Sequence, residues 1–199
     1  IRQMKSQKHT LVGLRDYVLL LLLVHTGMRL IEIRTIRLED IEKSGKDFIV
    51  WIRGKGRSGK DAFVVIMEDI YVAMQEYLTA RSNRGETLEP TSLLIVAHGT
   101  NTDNNYKKKM PLSTPSISRM IRLCMVKAGI KTKRISAHSL RHTFGVMAIK
   151  AGASLYEVQL AMRHSSSNTT QIYTADIEQM KRMEASPENK VFDILKNIT

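Results

Sequence analysis

The chain has 199 residues, 43% apolar and 25% charged, a balance that can bury a core without disulfides or metal and that excludes disorder of the whole chain. Lysine and arginine number 31 against 19 acidic residues, a formal charge of +12, which points to a polyanionic partner and leaves DNA, RNA and an anionic membrane surface open. Cys124 is the only cysteine, so an internal disulfide is impossible and a cysteine-based zinc site is unsupported; a buried structural thiol in a reducing, cytosolic compartment is expected.

The first expected element is a core helix over Leu11 to His25. Its apolar run, Val18 to Val24, is far shorter than the ~20 residues that span a bilayer. Thr26-Gly27 is a helix stop, because glycine enters the left-handed cap conformation at little cost. A second helix is expected over Met28 to Arg37, with Ile33 and Ile36 on one face and Arg34 and Arg37 on a more polar one. Asp47 to Arg53 and Ala62 to Ile66 are rich in β-branched and aromatic residues, with GKGRSGK between them, and together predict a β-hairpin with a basic tip.

Glu68 to Ala80 returns to helix, and Arg81 to Pro90 is polar enough for a loop. Ser92 to Ala97 reads as a short strand or part of a loop, followed by a polar connection, His98 to Met110, with three consecutive lysines. Thr114 as N-cap and Pro115 at the first helical position would start a helix that runs to about Ala128. Further helices are expected over Ser136 to Lys150 and Ser154 to Met162, with a Ser-rich turn at Ser165 to Asn168 and helix again over Thr169 to Thr174. Val191, Ile194, Leu195 and Ile198 then form one apolar helical face. The fold class is mainly α (α+β), helices with a small antiparallel β-sheet.

His138 and Arg141, three residues apart, share one helix face and can aim two donors at one anionic oxygen. His164 and Tyr173 lie nine residues apart across the Ser/Thr-rich turn. Taken singly, each of these has an ordinary structural reading. Arg29 by itself is a surface arginine, and Lys55 a solvated loop lysine.

Their combined order is more specific. TGMRLIEIRTIRLEDI (Thr26 to Ile41), HSLRHTF (His138 to Phe144) and RHSSSNTTQIYT (Arg163 to Thr174) resemble, in order, the three boxes of the tyrosine recombinase (phage integrase) family. GKGRSGK (Gly54 to Lys60) falls where that family keeps a lysine hairpin. The resemblance covers about Thr10 to Thr174 and implies the family's catalytic fold, with 1–185 as catalytic domain. Because the chain begins at Ile1, it is expected to be a fragment lacking an N-terminal core-binding domain. The tail, 186–199, is expected to dock on a neighbouring protomer or to pack on its own domain.

The resemblance also implies roles. Tyr173 would attack the scissile phosphate and form a 3′-phosphotyrosyl link. Arg29 and Arg141 would clamp the non-bridging oxygens, His138 would give or take a proton, and His164 would hydrogen-bond the phosphate. Lys55 would protonate the leaving 5′-oxygen, with Lys60 as the alternative hairpin lysine, and Glu32 would orient the site. The activity implied is site-specific recombination of double-stranded DNA, for integration or excision of a mobile element, by an enzyme that is monomeric when free and tetrameric in the synapse. No metal or other cofactor is expected. The rivals are a type IB topoisomerase and a non-cleaving DNA-binding protein on the same scaffold. The sequence departs from the family at Arg163, where a glycine is usual before the third-box histidine, and mildly at Met28, where leucine is commoner.

Overall fold

A computed structural model describes residues 8, 10–53, 60–98, 110–130 and 136–163, with the backbone alone at Arg53, Lys60 and Asp61. These residues fall into two compact units that divide between Phe144 and Gly145.

In the first unit, helix α1 (Leu11–His25) is the central element. Thr10 starts it, its Oγ1 accepting from the Gly13 amide at 3.0 Å. Val18 to Leu23 are all buried, so the helix is enclosed on every side rather than laid on a surface by one stripe. It packs chiefly on α3 (Glu68–Ser82), whose Ile70, Ala73, Met74 and Tyr77 face the same core. Arg15, buried within this leucine-rich helix, pairs with Asp16 at 2.6 Å. Burial raises the Asp16 carboxyl above its ordinary pKa, and Arg15 opposes that rise. No described helix is long and apolar enough to cross a membrane.

The sheet has the order β1 (Ile41–Ser44), β2 (Asp47–Arg53), β3 (Lys60–Ile66), all antiparallel. Val50 pairs with Val64 and Phe48 with Ile66, and alternation sends Val50, Ile52, Val64 and Ile66 into the core while Phe63 and Val65 stay exposed. The expected hairpin is present in its strands; its basic tip, 54–59, lies outside the described residues. Strand β1 is hard to see in the sequence because IEKS carries one apolar residue, Ile41, and that residue is only half-buried.

Three expectations need correction. The second helix, α2, covers only Leu30–Thr35. Ile36 turns extended (φ −58°, ψ 127°), and its carbonyl accepts from the Leu94 amide at 2.9 Å, so tertiary pairing ends the helix before Arg37. Helix α4 (Thr114–Lys127) is capped by Ser113, not Thr114; the Ser113 Oγ accepts from the Ser116 amide at 3.3 Å. Pro115 then lies within the first turn, where its missing N–H removes no helical bond. Arg81, expected to open a polar loop, is instead in the last turn of α3 and only 1% exposed. Ser92 to Ala97, left open between strand and loop, forms no strand: Leu93 and Val96 make isolated bridges to Arg37 and Pro111, while Leu94, Ile95 and Val96 are buried.

Helix α5 (Ala137–Lys150) crosses the division between the units. In the second unit, Ser154 caps α6 (Leu155–Met162) in a reciprocal pair with Glu157, whose oxygen accepts from the Ser154 amide at 2.7 Å. Those hydrogen bonds favour the carboxylate and hold the Glu157 pKa below its ordinary value. Cys124 is buried as expected, and burial raises its thiol pKa.

Candidate active site

The first box is built as a turn between two helices. Thr26 ends α1, its hydroxyl donating to the Leu22 carbonyl at 2.6 Å and accepting from the Met28 amide at 3.3 Å. Gly27 has φ +59°, a conformation that costs an L-residue about 1–2 kcal/mol. Met28 is fully buried in the core, so the departure from leucine keeps an apolar side chain there. Arg29 follows as the N-cap of α2, exposed, with extended backbone. Glu32 holds it twice: the Arg29 amide donates to Glu32 Oε2 at 2.6 Å, and Nη1 donates to Oε1 at 3.0 Å. A carboxylate gripping both the amide and the guanidinium restricts the direction in which Arg29 can point.

The second box opens α5. Ser136 and Ser139 bond reciprocally at its start, the Ser139 amide reaching Ser136 Oγ at 3.4 Å. His138 sits exposed in the first turn, where the positive end of the helix dipole favours an anion. One turn on, Arg141 is buried at 5% exposure, and its Nη1 donates to the Gly27 carbonyl. The guanidinium thus bridges 114 residues of chain and ties the helix of the second box to the turn of the first. Phe144, a further turn along, lies over Gly27: a Cβ there would come within 2.5 Å of the ring's Cδ1.

Two residues here went unnoticed in the sequence. Phe144 belonged to the second box, but nothing local revealed its contact with Gly27. Arg34 appeared only as part of a polar face, yet its Nε donates to the Leu112 carbonyl at 2.7 Å and Nη1 to Thr114 Oγ1 at 3.2 Å, tying α2 to the start of α4.

Arg163 answers for the third-box departure. It has φ 54° and ψ 46° as the C-cap of α6, so the position keeps the left-handed conformation natural to glycine. Its Nη1 donates to the Ala161 carbonyl at 2.7 Å, so the side chain helps cap the helix it ends. Lys55, His164, Tyr173 and the tail 186–199 lie outside the described residues, as does the side chain of Lys60, which opens β3 opposite Arg53. The four described candidates lie on two segments joined by one bond: Arg29 on the turn with Glu32 in the first turn of α2, and His138 and Arg141 on α5, which Arg141 bonds to that turn.

Residues 2–180 match the model of the phage integrase family. The chain belongs to the phage integrase family. Among curated family members, the tyrosine recombinase XerD of Staphylococcus saprophyticus is 33% identical over 81% of this chain and 50% of its own length. The tyrosine recombinase XerA of Pyrococcus furiosus is 32% identical over 81% of this chain and 50% of its own length. The chain thus spans about half the length of the curated relatives it matches. The solved XerH site-specific recombinase, in a post-cleavage complex with a palindromic difH substrate, superposes with a TM-score of 0.70 at 26% identity, over 90% of this chain and 47% of that one. The fold is that of the tyrosine recombinase catalytic domain: mainly helical, with a small antiparallel sheet.

Proposed function

We propose that this chain is the catalytic domain of a site-specific DNA recombinase that breaks and rejoins strands through Tyr173. In the proposed reaction the Tyr173 oxygen bonds to phosphorus while the bond from phosphorus to the 5′-oxygen breaks. The phenol proton leaves to a base, a task His138 can serve, and Lys55, or Lys60 in its place, returns a proton to the 5′-oxygen. One phosphoester replaces another, so resealing needs no external energy source. Arg29 and Arg141 hold the non-bridging oxygens with His164 beside them, and Glu32 directs Arg29. Planar guanidinium forks suit this task, and fixed donors aimed at developing charge are each worth ~10²–10³ in rate.

The observation that carries the proposal is the bond from Arg141 to the Gly27 carbonyl, which joins the second box to the turn of the first. Family membership, the solved XerH recombinase complex and the +12 charge support it further. The phage integrase family supports a mobile-element setting. Synapsis is proposed to assemble four copies on two duplexes from free monomers, the tail 186–199 either docking on a neighbour or packing on its own domain.

The test is covalent capture by the intact protein on nicked suicide duplexes with a randomised core. Wild type is expected to give denaturant-resistant protein–DNA adducts and Tyr173→Phe none. Adducts of equal yield would refute Tyr173 as nucleophile. Absence of both, with salt-sensitive DNA binding retained, would favour the non-cleaving scaffold. Site-independent relaxation of plasmids without recombinants would favour the topoisomerase.

A further inference from the structure

The family roles account for the groups that meet the phosphate, but not for what sets the two arginines in register. Arg29 is exposed on a four-residue turn, whereas Arg141 is buried on a helix more than a hundred residues later. The peptide of Gly27 is where their supports meet. Its carbonyl takes the Arg141 guanidinium, and its α-carbon is covered by the Phe144 ring. Arg141 and Phe144 stand three residues apart on α5, so one helix face presents both.

The fit is close. A methyl group on Gly27 would meet Phe144 Cδ1 at 2.5 Å and Cε1 at 2.7 Å, where ordinary contact needs well over 3 Å. Glycine is required twice at this point, by the positive φ and by the ring. Phe144 is half-buried, and Leu140, one turn earlier, already anchors α5 in the main core. The ring lies against the turn, while Leu140 carries the contact of α5 with the core.

We infer that Phe144 is a positioning residue: its ring, seated on Gly27, fixes α5 against the Thr26–Arg29 turn and so sets Arg141 and Arg29 in register for one phosphate. The inference rests on the proposed function. The bond to the Gly27 carbonyl fixes one point of the contact; a flat ring on the same peptide fixes a second. Loss of the ring lets the two guanidinia drift relative to each other while leaving each in place to attract DNA.

The experiment is a cycle of Phe144→Ala, Gly27→Ala and the double variant in the intact protein, with Phe144→Leu as a milder change should alanine impair folding. Single-turnover adduct formation on the suicide duplex is measured at saturating DNA, alongside DNA affinity and thermal midpoint. Phe144→Ala is expected to slow adduct formation by about tenfold or more, because small misplacements of reacting groups are costly, with DNA affinity within about twofold of wild type. Phe144→Leu should recover part of that rate. In the double variant the alanine methyl occupies space the ring has left, so the rate should exceed the product of the single effects by at least about threefold. Wild-type rates in Phe144→Ala and Phe144→Leu with lowered thermal midpoints would make Phe144 a packing residue and overturn the inference. Strictly multiplicative single effects would also overturn it. If wild type itself forms no adduct, the proposed function fails and takes the inference with it, an outcome distinct from the other two.

Discussion

Two arginines of the first unit are buried to a similar degree and serve opposite ends. Arg81, 1% exposed, closes a local loop: Nε and Nη2 donate to Glu86 at 3.0 and 2.5 Å, and Nη1 donates to the Leu93 and Leu94 carbonyls at 2.7 and 3.0 Å. Every one of those partners lies within 13 residues of it in the chain. Arg141, 5% exposed, reaches a carbonyl 114 residues away on the turn that carries Arg29. Burial alone thus says little about the task of an arginine. Arg81 closes a structural knot on its own stretch of chain, whereas the bond of Arg141 joins two boxes that lie far apart in the sequence.

The largest expected effect tests the structural half of that contrast. Arg81→Ala strands Glu86 and two carbonyls in a buried setting and should cost about 3–5 kcal/mol of stability. In a domain of this size that lowers the thermal midpoint on the order of 10 °C. Cleavage per folded molecule should stay at the wild-type level; a hundredfold loss in folded Arg81→Ala would erase the distinction. Arg141→Ala should show the reverse, a fall of ~10²–10³ in adduct formation with a smaller change in thermal midpoint. Arg141→Lys sharpens the point, since a lysine keeps the charge without the planar fork and should restore only part of the rate.

The smallest expected effect concerns Tyr77, whose hydroxyl lies 2.7 Å from His98 Nε2 beside Arg81. Tyr77→Phe should cost about 1 kcal/mol, the usual worth of one such bond. Burial pushes the Tyr77 phenol far above its ordinary pKa of 10. A folded-state pKa raised in this way contributes stability that is full below pH 10 and is lost as the pH climbs above it. Chemical denaturation at rising alkaline pH should therefore show a flatter decline in Tyr77→Phe than in wild type. Parallel declines would mean that the buried phenol is not the group responsible.

Much of this architecture was legible in the sequence. The run of leucines in α1 and the alternation in DFIVWIR and AFVVI each reflect a local period, and local periods survive tertiary context when burial is deep. The first and second boxes could be named because their residue order carries the resemblance. What stayed hidden is set by partners far away in the chain. Ile36 ends α2 because Leu94 takes its carbonyl, and nothing within LIEIRTIR announces that. Arg81 looked like a loop residue because a buried arginine and a solvated one have the same local sequence until Glu86, Leu93 and Leu94 fold back on it. Gly27 was legible as a helix stop, but its second duty, leaving room for Phe144, depends on a helix that arrives more than a hundred residues later. Arg163 was legible as a departure; the positive φ shows that the position retains the backbone demand while the side chain has changed.

Tyr173 is proposed to carry the broken strand. The most direct test is to map the covalent adduct. The intact protein would be trapped on a suicide duplex, the DNA and protein digested, and the nucleotide-bearing peptide sequenced by tandem mass spectrometry. A single modified residue, Tyr173, joined through phosphate to the 3′-oxygen, is the predicted result. Attachment at any other side chain, or a link to the 5′-end of the cut strand, would contradict the account.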